Sequence, residues 1–401
     1  MNDIELKPAT IAAQALGWID EQTKGIVAPI HTSTTFIRDP DNQFRSGRIY
    51  GRDNNPTYDQ AEAVITALEG GHASLLFASG MAAATAVFQA LAPGDHVIAP
   101  KVMYWSVRNW LLNFATHWGL QVEFIDMPDA AALRHAVKPG KTKIVWVETP
   151  ANPMWTITDI ALSAEIAHTA GAALVVDSTA ATPVLSQPLG LGADIVMHAA
   201  TKYLNGHSDV IAGTLTTRED SPLWTRIRTV RAQIGGIAGP LEAWLLTRGM
   251  RTLFPRVRAA CASAQAIAEH FSRHEQIEEV LYPGLPQFVG HDVAKRQMQG
   301  GFGGMLSIRV RGRHRDDASG HGGQSGQSGH SGERAAIAVA ANVQVWKRAT
   351  SLGGVESLIE HRASIEGAGT PAPLNLLRLS VGIEDTGDLI EDIERSLASA
   401  A

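Results

Sequence analysis

The sequence has one cysteine, Cys261, among 401 residues. A single cysteine excludes an intramolecular disulfide and any metal site built from several cysteines. The formal net charge of -6 gives no basic excess of the kind that binds nucleic acid. No apolar run reaches the roughly 18 residues that a membrane-spanning helix needs. The N-terminal residues lack the basic-then-apolar order of a signal peptide, so we expect a cytoplasmic protein.

The remaining composition is that of an ordinary globular protein, with 45% hydrophobic and 18% charged residues. A chain of this length predicts about two domains. We expect an N-terminal arm over residues 1–57, because this part has too little apolar content for its own core. A large domain is expected over 58–250 and a smaller one over 251–401. The smaller domain includes a Gly/Ser/Gln/His-rich segment, 311–333, predicted to be a mobile loop without a metal site.

Short apolar runs alternate with helical patterns through the first part of the chain. The predicted strands there are 73–77, 95–99, 122–125, 143–148, 173–177, 195–197 and 211–215. This alternation predicts an α/β fold with a mainly parallel central sheet covered on both faces. After about residue 250 a long helix, 257–270, precedes strands at 277–281, 305–310 and 376–381, which indicates a smaller α+β domain. Functional groups are expected at the carboxyl ends of the parallel strands, where Glu148, Asp177 and Lys202 lie.

Lys202 directly follows an apolar strand and lies between a hydroxyl residue and an aromatic one. Desolvation at the end of a buried strand favours the neutral amine, which is both a nucleophile and a base. Such a lysine can form a Schiff base with a carbonyl substrate or with pyridoxal phosphate (PLP). The alternative is a lysine whose ammonium group extends into water. The neighbouring motifs decide between the two.

A phosphate-binding turn is predicted between a strand and the start of a helix, at Ser79, Gly80 and Met81. Backbone N–H groups in such a turn point towards an anion, and the helix dipole adds to the attraction. Thr201 can contribute a hydroxyl group. A strand–glycine–helix turn by itself is a weak signal, because most such turns bind nothing.

Two further places suit anions. Tyr50 and Arg52, in a Gly- and Asp-rich loop, offer a phenol and a guanidinium to phosphate oxygens, although an arginine in such a loop is often only solvated. Arg378 interrupts an otherwise apolar strand, where an arginine has either a bound anion or a buried acid as its partner. The tight turn at Ser351 and Leu352 offers backbone groups to the same substrate carboxylate.

Three residues suit the ring of PLP. Asp177 ends a strand and can keep a pyridine nitrogen protonated, which makes the ring an electron sink. Its other interpretation is a helix N-cap. Tyr104 can stack on the ring or can simply be a packing aromatic residue. Asn152 can hydrogen-bond the ring hydroxyl oxygen or can be a turn-forming residue before proline.

Together these motifs resemble the Cys/Met-metabolism family of PLP-dependent trans-sulfuration enzymes. The resemblance runs over nearly the whole chain and is carried by motifs at 50–57, 68–71, 79–83, 148–153, 176–179, 201–209, 351–358 and 378–382. It implies the fold type I (aminotransferase-like) architecture, with Lys202 carrying PLP, Asp177 pairing with the pyridinium and Tyr104 stacking. It also implies that Tyr50 and Arg52 reach the phosphate of a neighbouring subunit's cofactor. The implied assembly is a homotetramer, a dimer of active dimers.

Two positions depart from the family pattern. Many members have a serine where this chain has Ala199, so one phosphate hydroxyl is missing, as also looks true of bacterial cystathionine β-lyases. After Tyr104, the chain continues with Trp105 and, three residues later, Arg108 in place of the smaller residues typical of γ-active members. These side chains are expected to reshape the substrate entrance.

The resemblance implies a carbon–sulfur lyase that splits cystathionine by β-elimination into homocysteine, pyruvate and ammonia. The alternatives within the family are γ-replacement, as in cystathionine γ-synthase or O-acyl-homoserine sulfhydrylase, and γ-elimination. The same residues serve all of them. A sensor or regulator on the same fold is a further alternative, but the complete set of catalytic residues and the lack of a DNA-binding motif oppose it.

Overall fold

The computed structural model describes residues 6–312, 327–367 and 370–400. It divides into two compact units. The first comprises residues 1–101, 106–148 and 158–255, and the second comprises 102–105, 149–157 and 256–401. The domain boundaries expected at 57 and 250 stay predictions. Of the loop expected at 311–333, residues 313–326 lie outside the described part, whereas residues from Gln327 onwards begin a helix.

The first unit is built on a seven-stranded sheet flanked by helices. Its strands are β1 Ala73–Phe77, β2 His96–Pro100, β3 Gln121–Ile125, β4 Thr142–Glu148, β5 Ala173–Asp177, β6 Ile195–His198 and β7 Gly213–Thr217. The helices in this part of the chain are α1 Pro8–Gln14, α2 Pro56–Glu69, α3 Gly80–Gln89, α4 Trp105–Trp110, α5 Ala130–Ala136, α6 Ile160–Thr169, α7 Thr182–Leu185, α8 Pro222–Ile234 and α9 Pro240–Met250. Single-turn segments lie at Ala15–Gly17, Leu111–Ala115 and Pro188–Leu191.

The strand order is β1-β7-β6-β5-β4-β2-β3. Strands β3, β2, β4, β5 and β6 run parallel, which confirms the predicted mainly parallel sheet. Strand β7 is the exception and runs antiparallel to both of its neighbours, β1 and β6. The parallel strands are apolar because helices cover both faces of such a sheet. Their carboxyl ends coincide, and Glu148 is directly opposite Asp177.

The second unit contains a smaller, mostly antiparallel sheet. Its strands are β8 Ile277–Leu281, β9 Met305–Val310, β10 Lys347–Arg348, β11 Leu358–His361 and β12 Leu376–Ser380, in the order β10-β11-β12-β9-β8. Its helices are α10 Leu253–Phe271, α11 His291–Gln297, α12 Gln327–Asn342, α13 Arg362–Glu366 and α14 Thr386–Ala400. A continuous apolar core joins α10, α12 and α14 to the sheet, and this is the α+β arrangement that the sequence predicts.

The N-terminal segment is part of the first unit and makes several polar contacts within it. The side chain of Asn55 caps α2 by accepting from the N–H of Thr57, and its amide donates to the carbonyl of His31. The indole N–H of Trp244 donates to the carbonyl of Ala28, 3.1 Å away. None of the helices in the described ranges is both long enough and apolar enough to cross a bilayer.

Candidate active site

Lys202 lies in a turn that directly follows β6, as its position after an apolar run predicts. Its backbone N–H donates to the carbonyl of Ala199 (2.9 Å), and its carbonyl accepts from Gly206 (2.8 Å). The backbone of Gly249 packs closely against Asn205, because a Cβ added to Gly249 would lie 2.3 Å from the Asn205 carbonyl oxygen. Backbone contacts therefore hold the turn, and the Lys202 side chain is half-buried.

Asp177 ends β5 and is buried. Its Oδ1 atom accepts from both the N–H (3.0 Å) and the hydroxyl (2.5 Å) of Thr179. The same Thr179 hydroxyl accepts from the N–H of Ala199, 2.9 Å away. Thr179 therefore links the Asp177 carboxylate to the segment that leads into Lys202. Asp177 acts as a cap within its own turn, but the cap uses only one of its two oxygens.

Burial raises the pKa of Asp177, although the Thr179 donors and the charge of His198 oppose that rise. The Oδ2 atom makes no hydrogen bond to any residue in the described part of the chain. Asp177 as a residue is buried, and the second oxygen of its carboxylate can accept from a cation or an N–H group of a ligand. The protonated nitrogen of a pyridine ring is such a donor.

The predicted phosphate-binding turn begins α3. Ser79 is the N-cap residue and its hydroxyl oxygen accepts from the N–H of Ala82 at 3.0 Å. The N–H groups of Gly80 and Met81 have no hydrogen-bond acceptor among the described residues, so they remain available to an anion. A Cβ on Gly80 would lie 2.8 Å from the Cβ of Ala199. This close approach brings the turn against the segment that carries Lys202.

Thr201, the other expected phosphate contact, is engaged with the backbone. Its hydroxyl donates to the carbonyl of Ala212 (3.1 Å) and accepts from the N–H of the same residue (3.0 Å). A phosphate contact from Thr201 therefore requires the hydroxyl to exchange the Ala212 carbonyl for a phosphate oxygen. Ala199, which stands where many family members have serine, offers no hydroxyl of its own.

Tyr50 and Arg52 lie in an exposed loop of the first unit. An antiparallel bridge pairs Tyr50 with Thr35, and the N–H of Gly51 donates to the carbonyl of Thr34 at 2.7 Å. The guanidinium of Arg52 lies 5.3 Å from the centre of the Tyr50 ring. The two side chains thus form one outward-facing group, which suits a ligand supplied from outside this chain.

The second unit holds the expected carboxylate-binding residues. Arg378 lies in the middle of β12 and is buried. Its Nη1 atom donates to Oδ1 of Asn152 at 3.2 Å, and its Nη2 atom donates to the carbonyl of Ser351 at 2.8 Å. Ser351 has φ of 139°, a strained conformation for a residue with a side chain. Three of the predicted residues are therefore joined by direct contacts.

The sequence left open whether an anion or a buried acid is the partner of Arg378. The described structure contains the acid, because Oε2 of Glu360 lies 2.7 Å from Nη2 of Arg378. Burial lowers the pKa of Arg378 to about 10 even so, while the charge of Glu360 opposes the change. Tyr104 and Leu352 also belong to this unit, and the Tyr104 side chain is exposed.

A buried contact between a histidine and a glutamate lies at the end of β6 and has no counterpart among the sequence predictions. Nε2 of His198, the last residue of β6, lies 2.5 Å from Oε1 of Glu69, the last residue of α2. Both residues are 1% exposed. The pair joins the end of α2 to the end of β6, the strand that leads to Lys202.

We expect Glu69→Leu and His198→Leu each to lower the free energy of unfolding by about 1–3 kcal/mol, because each leaves a buried polar group without its hydrogen-bond partner. The double variant should lose less than either single variant, since neither of the two polar side chains remains to be left without its partner. Urea unfolding of the three proteins measures the difference. His168→Leu, which breaks the more exposed His168–Asp194 pair, is the control and should cost about 1 kcal/mol or less. Additive losses in the double variant would contradict the pairing.

Several supporting residues escaped sequence reasoning. Thr179, Glu360 and the Glu69–His198 pair touch candidate site residues or their neighbours. Arg231 is also buried and contacts Glu62, whose pKa burial raises to about 7. The available signal was a charged residue at an otherwise apolar position, as at Glu360 within β11. The sequence did not show which acidic side chain contacts which basic one, because Glu360 and Arg378 meet through the pairing of β11 with β12.

Comparison with known proteins places these features in a family. The model of the Cys/Met metabolism PLP-dependent enzymes matches residues 9–398. The chain belongs to this family. Among its relatives, a cystathionine gamma-synthase of Mycobacterium tuberculosis is 41% identical over 97% of this chain and 96% of the relative. A cystathionine beta-lyase of Coxiella burnetii is 36% identical over 94% of both chains.

The fold of this family member agrees with a solved structure. The crystal structure of metB from Corynebacterium glutamicum matches with a TM-score of 0.90 and 37% identity, covering 99% of both chains. PLP is therefore the cofactor, as the motifs predicted. The residues of this chain fit it, because the open oxygen of Asp177 and the unpaired N–H groups of Gly80 and Met81 suit a pyridinium and a phosphate.

Proposed function

We propose that this enzyme catalyses γ-replacement of the cystathionine γ-synthase type, joining an O-acyl-homoserine to cysteine. The similarity to the M. tuberculosis gamma-synthase, 41% identity over nearly the whole chain, supports this choice over the lyases. In the reaction the sulfur of cysteine forms a bond to Cγ of the homoserine unit. The acyl carboxylate leaves with the electrons of the broken C–O bond, and the thiol proton is released.

We assign the chemistry to residues of this chain as follows. PLP, when bound, supplies an electron sink for the carbanion at Cα. Lys202 would hold the cofactor and would move protons at Cα and Cβ of the substrate. Asp177 keeps the ring nitrogen protonated, and the N–H groups of Gly80 and Met81 hold the phosphate. Ser79 caps the phosphate-binding helix, and Thr201 adds its hydroxyl.

The substrate and the ring have further proposed partners. Arg378 binds the α-carboxylate, with the Ser351–Leu352 backbone beside it. Tyr104 stacks on the ring and assists proton transfer, and Asn152 hydrogen-bonds the ring hydroxyl oxygen. Because Oδ1 of Asn152 accepts from Arg378, its amide nitrogen is the group that would donate to the ring hydroxyl oxygen. Tyr50 and Arg52 serve the phosphate of a neighbouring subunit.

The last assignment requires an oligomer, and we propose a homotetramer built from two active dimers in the cytoplasm. The arm over residues 1–57 supports this, since Ile26 is 78% and Ile37 is 94% exposed in the single chain. Apolar side chains concentrated on one segment mark a surface that another protein surface covers. The exposed Tyr50–Arg52 group lies on the same segment.

Cystathionine β-elimination is the second candidate function. The observation that favours it is Ala199, which stands where many family members carry a serine. Here the C–S bond to Cβ breaks, the thiolate leaves with its electrons, and a proton from Lys202 or a tyrosine converts it to homocysteine. One water molecule then hydrolyses the remaining three-carbon fragment to pyruvate and ammonia.

One substrate panel separates the candidates. With O-acetyl- or O-succinyl-homoserine and cysteine, we expect the PLP-loaded enzyme to form cystathionine, identified by mass. With cystathionine alone, pyruvate release should be at least about tenfold slower in kcat/KM, a difference of about 1.4 kcal/mol in transition-state stabilisation. Faster pyruvate release than cystathionine synthesis would replace γ-replacement by the lyase activity. An absence of turnover with every thio-amino acid would favour a regulatory protein.

A further inference from the structure

Arg378 belongs to a buried group of four charged side chains in the second unit. The others are Glu360, Arg362 and Glu366, and all four are buried. We propose that Glu360 is a positioning residue, which fixes the guanidinium of Arg378 in the orientation and charge state that bind the substrate's α-carboxylate. This inference rests on the proposed function in one respect, the assignment of the carboxylate to Arg378.

The position of Glu360 follows from strand pairing. Glu360 on β11 is the direct cross-strand partner of Arg378 on β12. Its Oε2 atom lies 2.7 Å from Nη2 of Arg378 and 2.6 Å from Nη1 of Arg362. Its Oε1 atom accepts from the hydroxyl of Thr350. Both oxygens are engaged in different directions, so the carboxylate has little freedom to rotate.

Glu360 supplies the only negative charge in direct contact with the Arg378 guanidinium among the described residues. The other two acceptors, Oδ1 of Asn152 and the carbonyl of Ser351, are neutral. A buried cation that is surrounded only by neutral acceptors bears a larger desolvation cost. Glu360 offsets that cost while its geometry sets the plane of the guanidinium.

The second cation of the group explains why Glu360 does not simply neutralise the binding site. Arg362 pairs with both Glu360 and Glu366, and its Nη2 atom lies 2.5 Å from Oε1 of Glu366. The hydroxyl of Thr370 donates to the other Glu366 oxygen at 2.6 Å. Two cations and two anions cancel, and Glu360 is divided between two arginines. Arg378 therefore retains attraction for one further carboxylate.

The same arrangement predicts how binding depends on pH. Burial lowers the pKa of Arg378 to about 10, and the nearby charge of Arg362 lowers it as well. The charges of Glu360, Glu366 and Tyr104 act in the opposite direction. Only the cation binds a carboxylate well, so affinity falls as pH rises through this pKa. Removal of the Glu360 charge lowers the pKa further and brings the loss closer to neutral pH.

The test compares Glu360→Gln with wild type in the PLP-loaded enzyme, because glutamine keeps the volume and removes the charge. Its amide oxygen can still accept from Arg378 and Arg362, and its amide nitrogen can donate to the Thr350 hydroxyl, which accepts as well as donates. At pH 7 we expect KM for the amino-acid substrate to rise about tenfold or more. The rise should be larger at pH 9, whereas kcat should stay within about twofold. Titration of an unreactive amino acid, followed by the visible absorbance of bound PLP, should show the same weakening.

The matched control is Glu279→Gln. Glu279 lies on β8 of the same sheet, is about half exposed and pairs with Arg309 at 3.0 Å. Its loss should leave KM and its pH dependence unchanged, because it contacts none of the four buried residues. The melting temperatures of both variants show whether either substitution unfolds the protein at the assay temperature.

The α-carboxamide of the same amino acid separates positioning from general damage. This analogue lacks the negative charge that Arg378 binds, so Glu360→Gln should weaken it by less than about twofold. Equal losses for acid and amide, or an unchanged KM for the acid at both pH values, would overturn the proposal. If no sulfur amino acid is turned over but amino-acid binding still weakens selectively, the proposed function fails and the role of Glu360 stands.

Discussion

Lys202→Ala should abolish both turnover and the visible absorbance of bound PLP. The amine is the one group assigned to hold the cofactor and to move protons at the substrate, so both steps fail together. Loss of a group with these two roles costs about four orders of magnitude or more in kcat. The variant should still fold, because the turn around Lys202 is held by backbone hydrogen bonds to Ala199 and Gly206.

Absorbance spectra and initial rates of the purified variant test this expectation. Lys101→Ala is the matched control, since Lys101 directly follows β2 just as the Lys202 turn follows β6, but its side chain is exposed. The control should keep the spectrum and the rate of wild type. A coloured, active Lys202→Ala protein would remove Lys202 from the mechanism and with it the central assignment of the site.

Asp177→Asn should have the second-largest effect on activity, with kcat/KM lower by about 10² to 10³-fold. Asparagine keeps the shape and can still accept from Thr179, but it cannot hold a proton on the ring nitrogen electrostatically. The expected signature is a changed spectrum of bound PLP along with the lower rate. A variant that matches wild type in both measurements would show that the carboxylate charge is not used.

The same substitution should stabilise the cofactor-free protein, and this effect depends on pH. Burial raises the folded-state pKa of Asp177 above its usual 3.8, so the unfolded chain loses this proton at lower pH than the folded protein does. Wild-type stability therefore falls as pH rises from about 3.8 through the folded-state pKa, and it stays lower above that. Asp177→Asn has no such loss, because asparagine does not titrate.

Urea unfolding of the cofactor-free proteins between pH 4 and 8 measures this difference. The advantage of Asp177→Asn should grow with pH and shrink when PLP is added, since the pyridinium partners the wild-type carboxylate. Asp126→Asn serves as the control, because Asp126 follows the end of β3 and is exposed. An advantage that stays constant with pH would mean that the Asp177 carboxylate is not destabilised by burial.

Asp177 suits its proposed role of keeping the PLP ring nitrogen protonated because the residue is buried and one of its carboxylate oxygens is available to the ring. The protein holds one carboxylate oxygen with Thr179 and leaves the other without a donor from the described residues. Natural proteins accept such local costs at binding sites, where the ligand removes them. Glu69 and His198 differ, since Oε1 of Glu69 and Nε2 of His198 contact each other within the chain.

The predicted strands agree closely with those found. Runs 73–77, 173–177, 277–281 and 305–310 match their strands residue for residue, because each is a short apolar segment between turn-forming residues. Strand β7 was expected at 211–215 but spans Gly213–Thr217. Its residues are mostly threonine, so apolar periodicity placed it poorly, and its antiparallel direction was not encoded locally.

Some residues of the candidate site could likewise be predicted from the sequence, and others could not. Asp177 and Lys202 were recognisable because polar groups at the carboxyl ends of parallel strands have a known meaning. The partners of Arg378 were not recognisable, since Glu360 meets it only through the β11–β12 register. Nothing in the sequence indicated that the Thr201 hydroxyl has a partner within the chain. In the structure it hydrogen-bonds both the carbonyl and the N–H of Ala212.

By itself, the sequence determined the α/β sheet and the cofactor and predicted which lysine and acid serve that cofactor, because these depend on short motifs and on apolar periodicity. The tertiary structure alone decided which charges are buried together. Glu69 meets His198, and Glu360 meets Arg378 and Arg362, across gaps in the chain that no local pattern spans. Desolvation acts on groups by where they lie in space, and spatial neighbours exist only once helices and strands have packed.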